Sequence, residues 1–286
     1  MYIELSISFN KKNYEDVYNT LYLNGVEKIL EEHGLIKIYY KNNETNKIEN
    51  IKKSLVKSAR IKPSDIEVNI LHSEDWDREW KMSIEPIDIK DKILIYPSWK
   101  KHIIKEHQDK ILLEIDPKMS FGTGHNDTTL LMLEMMVDYI GKNDTYMLDF
   151  GCGTGILAIA GIKLGIKKAV AIDTDEDSVR DAGDYMKING VNRYIRLYKK
   201  DIGEIKETKF DVIACNIISS VILKNLGIIR SKLKPAGKLF LTGILKNEQI
   251  KLRKAIEDND MSVIEIRKKA EWIAFYCKTK NQKSHK

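Results

Sequence analysis

Apolar and polar residues alternate along Tyr2-Ile3-Glu4-Leu5-Ser6-Ile7-Ser8-Phe9, which predicts a half-buried strand at the start of the chain. The spacing predicts a helix over 13–24, stopped by Gly25. Val26–Glu32 and Leu35–Lys41 read as two strands about a His33-Gly34 turn. Lys47–Arg60 is amphipathic, with Ile48, Ile51, Leu55 and Val56 on one face. Asp65–Leu71 supplies a last strand. The order βαββαβ is that of a ferredoxin-like α+β unit, placed at residues 1–72, and it holds no catalytic signature.

Residues 73–100 read as a linker. Trp76 and Trp80 are four apart and share one face if this piece is helical, where packing at a domain junction is their expected role. Pro86 and Pro97 interrupt regular structure. The remainder, 101–286, reads as the second domain, and from residue 111 strands and helices alternate, which predicts an α/β sheet. Seven strands are expected: Tyr146–Phe150, Ala169–Asp173, Tyr194–Tyr198, Phe210–Cys215, Lys238–Thr242, Met261–Arg267 and Trp272–Lys278, the last antiparallel.

Composition changes this picture little. A chain of 286 residues, 43% hydrophobic and 31% charged, can bury a core and keep a solvated surface. No apolar run approaches a membrane span, and Met1-Tyr2-Ile3-Glu4-Leu5 lacks a signal pattern. Cys152, Cys215 and Cys277 are odd in number and far apart, which excludes a disulfide framework and a zinc cluster by spacing and suggests a reducing cytoplasm. The net charge of +6 is partly local, with Lys278, Lys280, Lys283 and Lys286 in the tail. It reads as a lysine-rich surface rather than a nucleic-acid footprint.

The chemistry is concentrated at Asp149-Phe150-Gly151-Cys152-Gly153-Thr154-Gly155, between an apolar strand and a helix of small residues. Such a loop lets a ligand lie against bare backbone at a helix N-terminus, and the missing side chain of Gly153 permits close approach. The third glycine falls one position too early for a dinucleotide fingerprint, and no Gly-Lys-Ser/Thr follows. Ala169-Val170-Ala171-Ile172-Asp173 then ends a buried strand in a carboxylate able to accept both ribose hydroxyls. Loop and acid together point to an adenosine ligand without a diphosphate, with S-adenosylmethionine as the candidate.

Phe121-Gly122-Thr123-Gly124-His125-Asn126-Asp127-Thr128-Thr129 is a second Gly-rich loop before a helix whose apolar stripe is Leu130, Leu133, Met136 and Val137. Asp127 or Thr128 suits the N-cap. The loop reads as a flap over the cofactor, with the Thr129 hydroxyl as a contact, and His125 reads as structural. Phe210-Asp211-Val212-Ile213-Ala214-Cys215-Asn216 ends in an amide at the ligand edge of the sheet. Ile217-Ile218 follow it, and no aromatic does, which weakens a case for a planar base nitrogen as methyl acceptor. The Asn216 carbonyl can orient an amine.

Assembled, these segments resemble the bacterial ribosomal protein L-eleven methyltransferase (PrmA) family over nearly the whole chain. The resemblance rests on Asp75-Trp76 through Trp80-Lys81, Tyr96-Pro97-Ser98-Trp99, Asp116-Pro117 leading into Phe121-Gly122-Thr123-Gly124, Asp149 through Ala160, Asn216-Ile217, Thr242-Gly243-Ile244-Leu245 with Gln249, and Glu271-Trp272. It departs where many members read Thr-His-Pro and this chain reads His125-Asn126-Asp127, and where Asn-Ile-Leu becomes Asn216-Ile217-Ile218. The resemblance implies a Rossmann-like, seven-stranded class I methyltransferase domain behind the small ferredoxin-like domain, which would bind the substrate. It carries cofactor contacts to Thr129, Gly151, Asp173 and Asn216. The implied reaction is methyl transfer from S-adenosyl-L-methionine to lysine ε-amino groups, and the α-amino group, of ribosomal protein L-eleven in the cytoplasm. No metal, membrane or direct nucleic-acid requirement is expected. Two other readings stand beside it: a methyltransferase for another protein or for RNA, and a ribosome-associated protein that binds cofactor without turnover.

Overall fold

The computed structural model describes residues 2–9, 13–24, 26, 30–32, 35–41, 44–59, 61–71, 84–116 and 126–280. Its contacts divide the chain into two units, Met1–Ile84 and Glu85–Lys286.

In the first unit the described elements are β1 (Tyr2–Ser8), α1 (Tyr14–Leu23), β2 (Leu30–Glu32), β3 (Leu35–Lys41), α2 (Thr45–Ser58) and β4 (Ile66–Leu71). The sheet order is β2-β3-β1-β4, with every pairing antiparallel. Alternation along β1 turns Ile3, Leu5 and Ile7 into one core with Val17 and Leu21 of α1 and Ile48, Ile51 and Leu55 of α2. Val56, expected on that face, is 41% exposed, because one step past Leu55 rotates a side chain by about 100° around a helix. The Gly25 stop and the His33-Gly34 turn lie outside the described residues.

The second unit opens with a small sheet of β5 (Ile87–Ile89), β6 (Ile93–Tyr96) and β7 (Ile111–Glu114). Residues 87–96, read from sequence as part of a linker, are therefore paired strands of this unit. The β5–β6 turn uses Lys90 (φ 55) and Asp91 (φ 53), left-handed without a glycine, so it lacks the Asn-Gly or Asp-Gly pair that marks such a turn in sequence. The Asp88 carboxylate accepts the Asp91 N–H at 2.8 Å and holds the turn. Trp76 and Trp80 lie outside the described residues.

The main sheet contains β8 (Tyr146–Phe150), β9 (Lys168–Asp173), β10 (Ile195–Lys199), β11 (Phe210–Asn216), β12 (Leu233–Leu245), β13 (Met261–Lys269) and β14 (Trp272–Thr279). The order is β10-β9-β8-β11-β12-β14-β13. β14 is antiparallel to both neighbours, and the other pairings are parallel. This is the expected seven-stranded, Rossmann-like α/β sheet. Successive strand residues go to opposite faces. Met147, Ala169, Ala171, Ala214 and Phe240 pack with α3 (Asp127–Tyr139), α4 (Ile156–Lys163), α5 (Glu176–Ile188) and the small sheet. Leu148, Val170, Ile172, Ile213 and Leu241 pack with α6 (Ser219–Lys232) and α7 (Gln249–Asp258). Chain order runs outward from β8 to β9 on one side and resumes at β11 on the other. That reversal opens a crevice beyond the strands' carboxyl ends, where open α/β sheets hold ligands.

Candidate active site

The Gly-rich loop leaves β8 and enters α4 through backbone that side chains rarely adopt. Gly151 has φ 74 and Gly155 has φ 76. A Cβ on Gly151 would stand 2.3 Å from Ile217 Cγ2, so at this position both conformation and space require glycine. The Gly151 and Cys152 N–H groups both donate to the Ile172 carbonyl at 2.9 Å, pinning the loop to β9. Beneath it, Asp149 is fully buried and accepts the Ala158 N–H at 3.0 Å, which ties β8 to the first turn of α4. Its other oxygen, Oδ1, has no hydrogen-bond partner among the described residues. Burial pushes the Asp149 carboxyl up to about 7, against the bond from Ala158 and with added repulsion from Asp173. Burial likewise drives the Cys152 and Cys215 thiols up, so neither is poised as a nucleophile.

A cavity of about 870 Å³ lies over this loop. Gly151, Gly153, Asp173 and Asn216 all line it. The Asp173 carboxylate is held at both oxygens: Oδ2 accepts the Gly153 N–H and Oδ1 the Asp175 N–H, each at 3.0 Å. A carboxylate has about four lone-pair positions, so two stay available to hydroxyl donors. Asp201, just past β10, also lines the cavity and was missed from sequence. Its Oδ1 accepts the Ile202 N–H at 2.6 Å, leaving acceptor capacity for an amino group. The signal was present, since an acid follows β10 much as Asp173 ends β9, but Lys200 intervenes and the strand is half-exposed.

On the other side of the loop, Asn216 ends β11 level with the turn out of β8, since Cys215 pairs with Phe150. Its side-chain N–H donates to the Thr129 hydroxyl at 3.2 Å, which leaves the amide carbonyl oxygen as the acceptor. Thr129 is itself fully buried and does not line the cavity; its neighbours Asn126, Asp127 and Thr128 do. Thr129 therefore reaches the site through Asn216. Asn126, not Asp127 or Thr128, occupies the N-cap position of α3. Trp272, at the start of β14, closes the same end of the cavity. Gly243 (φ 83) lets β12 pass Ile217, whose carbonyl oxygen would lie 2.4 Å from an added Cβ. Two segments singled out in the sequence also meet: Asp116 accepts the Ser98 N–H at 2.6 Å and the Ser98 hydroxyl at 3.1 Å. Phe121–His125 of the expected flap lies outside the described residues.

These residues fit S-adenosylmethionine. The cavity is of ligand size, and Gly151 and Gly153 present bare backbone to it. A carboxylate with acceptor capacity left over lines the cavity beside the loop, as a ribose diol requires.

Comparison with known proteins agrees. The family model described as ribosomal protein L11 methyltransferase (PrmA) matches residues 2–280. A ribosomal protein L11 methyltransferase of Alkaliphilus oremlandii is 32% identical over 282 residues, covering 93% of this chain and 89% of the relative. Another, of Brevibacillus brevis, is 34% identical over 218 residues, covering 76% and 69%. The crystal structure of a ribosomal protein L11 methylase from Lactobacillus delbrueckii subsp. bulgaricus superimposes with a TM-score of 0.63 at 26% identity, over 69% of this chain and all of that one. The chain belongs to the ribosomal protein L11 methyltransferase family and is an enzyme that takes its methyl group from S-adenosylmethionine.

Proposed function

We propose that the chain methylates lysine ε-amino groups, and the α-amino group, of ribosomal protein L11. The observation that carries this reading is that Asp173 and Asn216 line one cavity from opposite sides of the Gly151 loop. Asp173 and the backbone at Gly151 and Gly153 hold the adenosine side. Asn216 faces the acceptor side, fixed by Thr129. S-adenosylmethionine supplies an electrophilic methyl group on a sulfonium. The protein's task is to present a neutral amine in line with it. A lysine amine is protonated at neutral pH, and a cavity walled by Ile217, Val221 and Trp272 disfavours that charge by desolvation. The Asn216 carbonyl then accepts an N–H of the neutral amine and aims its lone pair, which is chiefly a positioning effect.

The ferredoxin-like unit, which shows no catalytic cluster among its described residues, serves recognition in this reading. A ribosomal-protein substrate and three free cysteines fit a cytoplasmic enzyme. No helix among the described residues is long and apolar enough to cross a membrane, and the reading asks for no nucleic acid in the reaction.

Purified chain incubated with methyl-labelled cofactor and a cell lysate tests this reading. Label should enter ribosomal protein L11; label confined to RNA or to another protein would overturn it.

A further inference from the structure

Large apolar side chains stand exposed beside the cavity. Ile218, the N-cap residue of α6, lines the cavity and is 64% exposed. Leu245, at the end of β12, is 38% exposed and pairs across the ladder with Trp272, another cavity residue. Ile250, in the first turn of α7, is 83% exposed. One carboxylate ties the segments of the first two together, and the third follows it in the chain. Glu248 accepts the Ser219 hydroxyl, next to Ile218, and the Leu245 N–H at 2.9 Å, while Ile250 lies two residues further on. The bond from Ser219 is the largest of the causes that lower the Glu248 carboxyl below its usual range, so the clasp is ionised at neutral pH. Exposed apolar residues are ordinary singly; a cluster continuous with a ligand cavity marks an interaction surface.

We infer that Ile218, Leu245 and Ile250 form a docking rim for the protein substrate, where the polypeptide flanking the acceptor lysine lays apolar side chains while its amine enters the cavity. This deepens the proposed function and rests on it. The geometry of lysine supplies the argument. From Cα to Nζ an extended lysine side chain reaches only about 6 Å, by ordinary bond lengths. A lysine whose nitrogen reaches the acceptor side of the cavity must keep its own backbone against the cavity mouth. The rim is what that backbone and its neighbours meet. A folded segment with a small apolar patch beside the target lysine fits it.

Steady-state methylation of purified ribosomal protein L11 tests the proposal, comparing wild type with Ile250→Asp, Leu245→Ser, the pair together, and Ile250→Leu as the conservative control. Neither position lines the cavity, so cofactor affinity by calorimetry should stay within about twofold, and Ile250 is too exposed for its replacement to threaten folding. The proposal expects KM for the ribosomal protein to rise about tenfold in Ile250→Asp and further in the pair. It expects kcat to be little changed and Ile250→Leu to restore most of the loss. Unchanged kcat/KM in the pair would overturn it. So would a wild-type dimer that Ile250→Asp dissociates, which would make the rim a contact between copies. If wild type leaves the ribosomal protein unmethylated, the proposed function fails instead, and the two failures are separately visible.

Discussion

Asn216 donates its side-chain amide to the Thr129 hydroxyl at 3.2 Å, from 87 residues away in the chain. The donor ends a central strand and the acceptor lies in the first turn of α3. The bond decides which end of the amide faces the cavity. With its nitrogen engaged, Asn216 presents oxygen, the end that accepts a hydrogen from an amine.

Thr129→Val keeps shape and removes the acceptor, so it should release the amide to turn. We expect kcat to fall by about three- to tenfold, the equivalent of one ordinary hydrogen bond, with cofactor affinity nearly unchanged. Paired turnover and calorimetric measurements check this. A large loss of cofactor affinity with kcat intact would make Thr129 a cofactor contact instead.

Asp173→Ala should weaken S-adenosylmethionine binding by about 1–3 kcal/mol, the usual loss for a charged acceptor. It also strips the Gly153 N–H of its partner, so the loop loosens. Calorimetric titration of the folded variant measures the change, and unchanged affinity would remove Asp173 from the site.

Gly151→Ala should destabilise the fold by about 1–3 kcal/mol, from a left-handed backbone and from contact with Ile217. Truncating Ile217 to Ala removes the obstructing Cγ2. The double variant should therefore be more stable than the sum of the two single changes allows. Strictly additive denaturation midpoints would show that the clash is relieved elsewhere.

Asp149 should leave a pH signature. Its folded carboxyl titrates near 7, against 3.8 unfolded, so between these values the folded state holds more protons. Its contribution is whole below about pH 4 and is lost as pH rises through 7, by about 4 kcal/mol at 1.36 kcal/mol per unit. Asp149→Asn removes this titration. The stability of wild type relative to the variant should decline across pH 4–7 in thermal melts, and parallel curves would contradict it.

Much of this was legible in the sequence because local pattern and fold agree. The run Tyr146–Phe150 followed by glycines names a strand, a turn and a ligand floor at once. Asp173 follows from the same logic. The small sheet of β5, β6 and β7 was not legible, because Lys90 and Asp91 make a left-handed turn without glycine and Pro97 suggested a break. The role of Thr129 was half legible. Its place near the site follows from its motif, whereas its burial behind Asn216 depends on how α3 packs against the sheet. Asp201 was hidden because β10 is an edge strand whose half-exposed residues blur the apolar pattern that marks β9.

Methyl transfer from this cavity to amines of ribosomal protein L11 is open to a direct test. Mass spectrometry of that protein after incubation with the chain and S-adenosylmethionine tests it most directly. Whole-methyl mass increments are expected on lysine side chains or the α-amino terminus, strongly reduced with Asn216→Ala. An unmodified ribosomal protein, from a chain that demonstrably binds the cofactor, would contradict it.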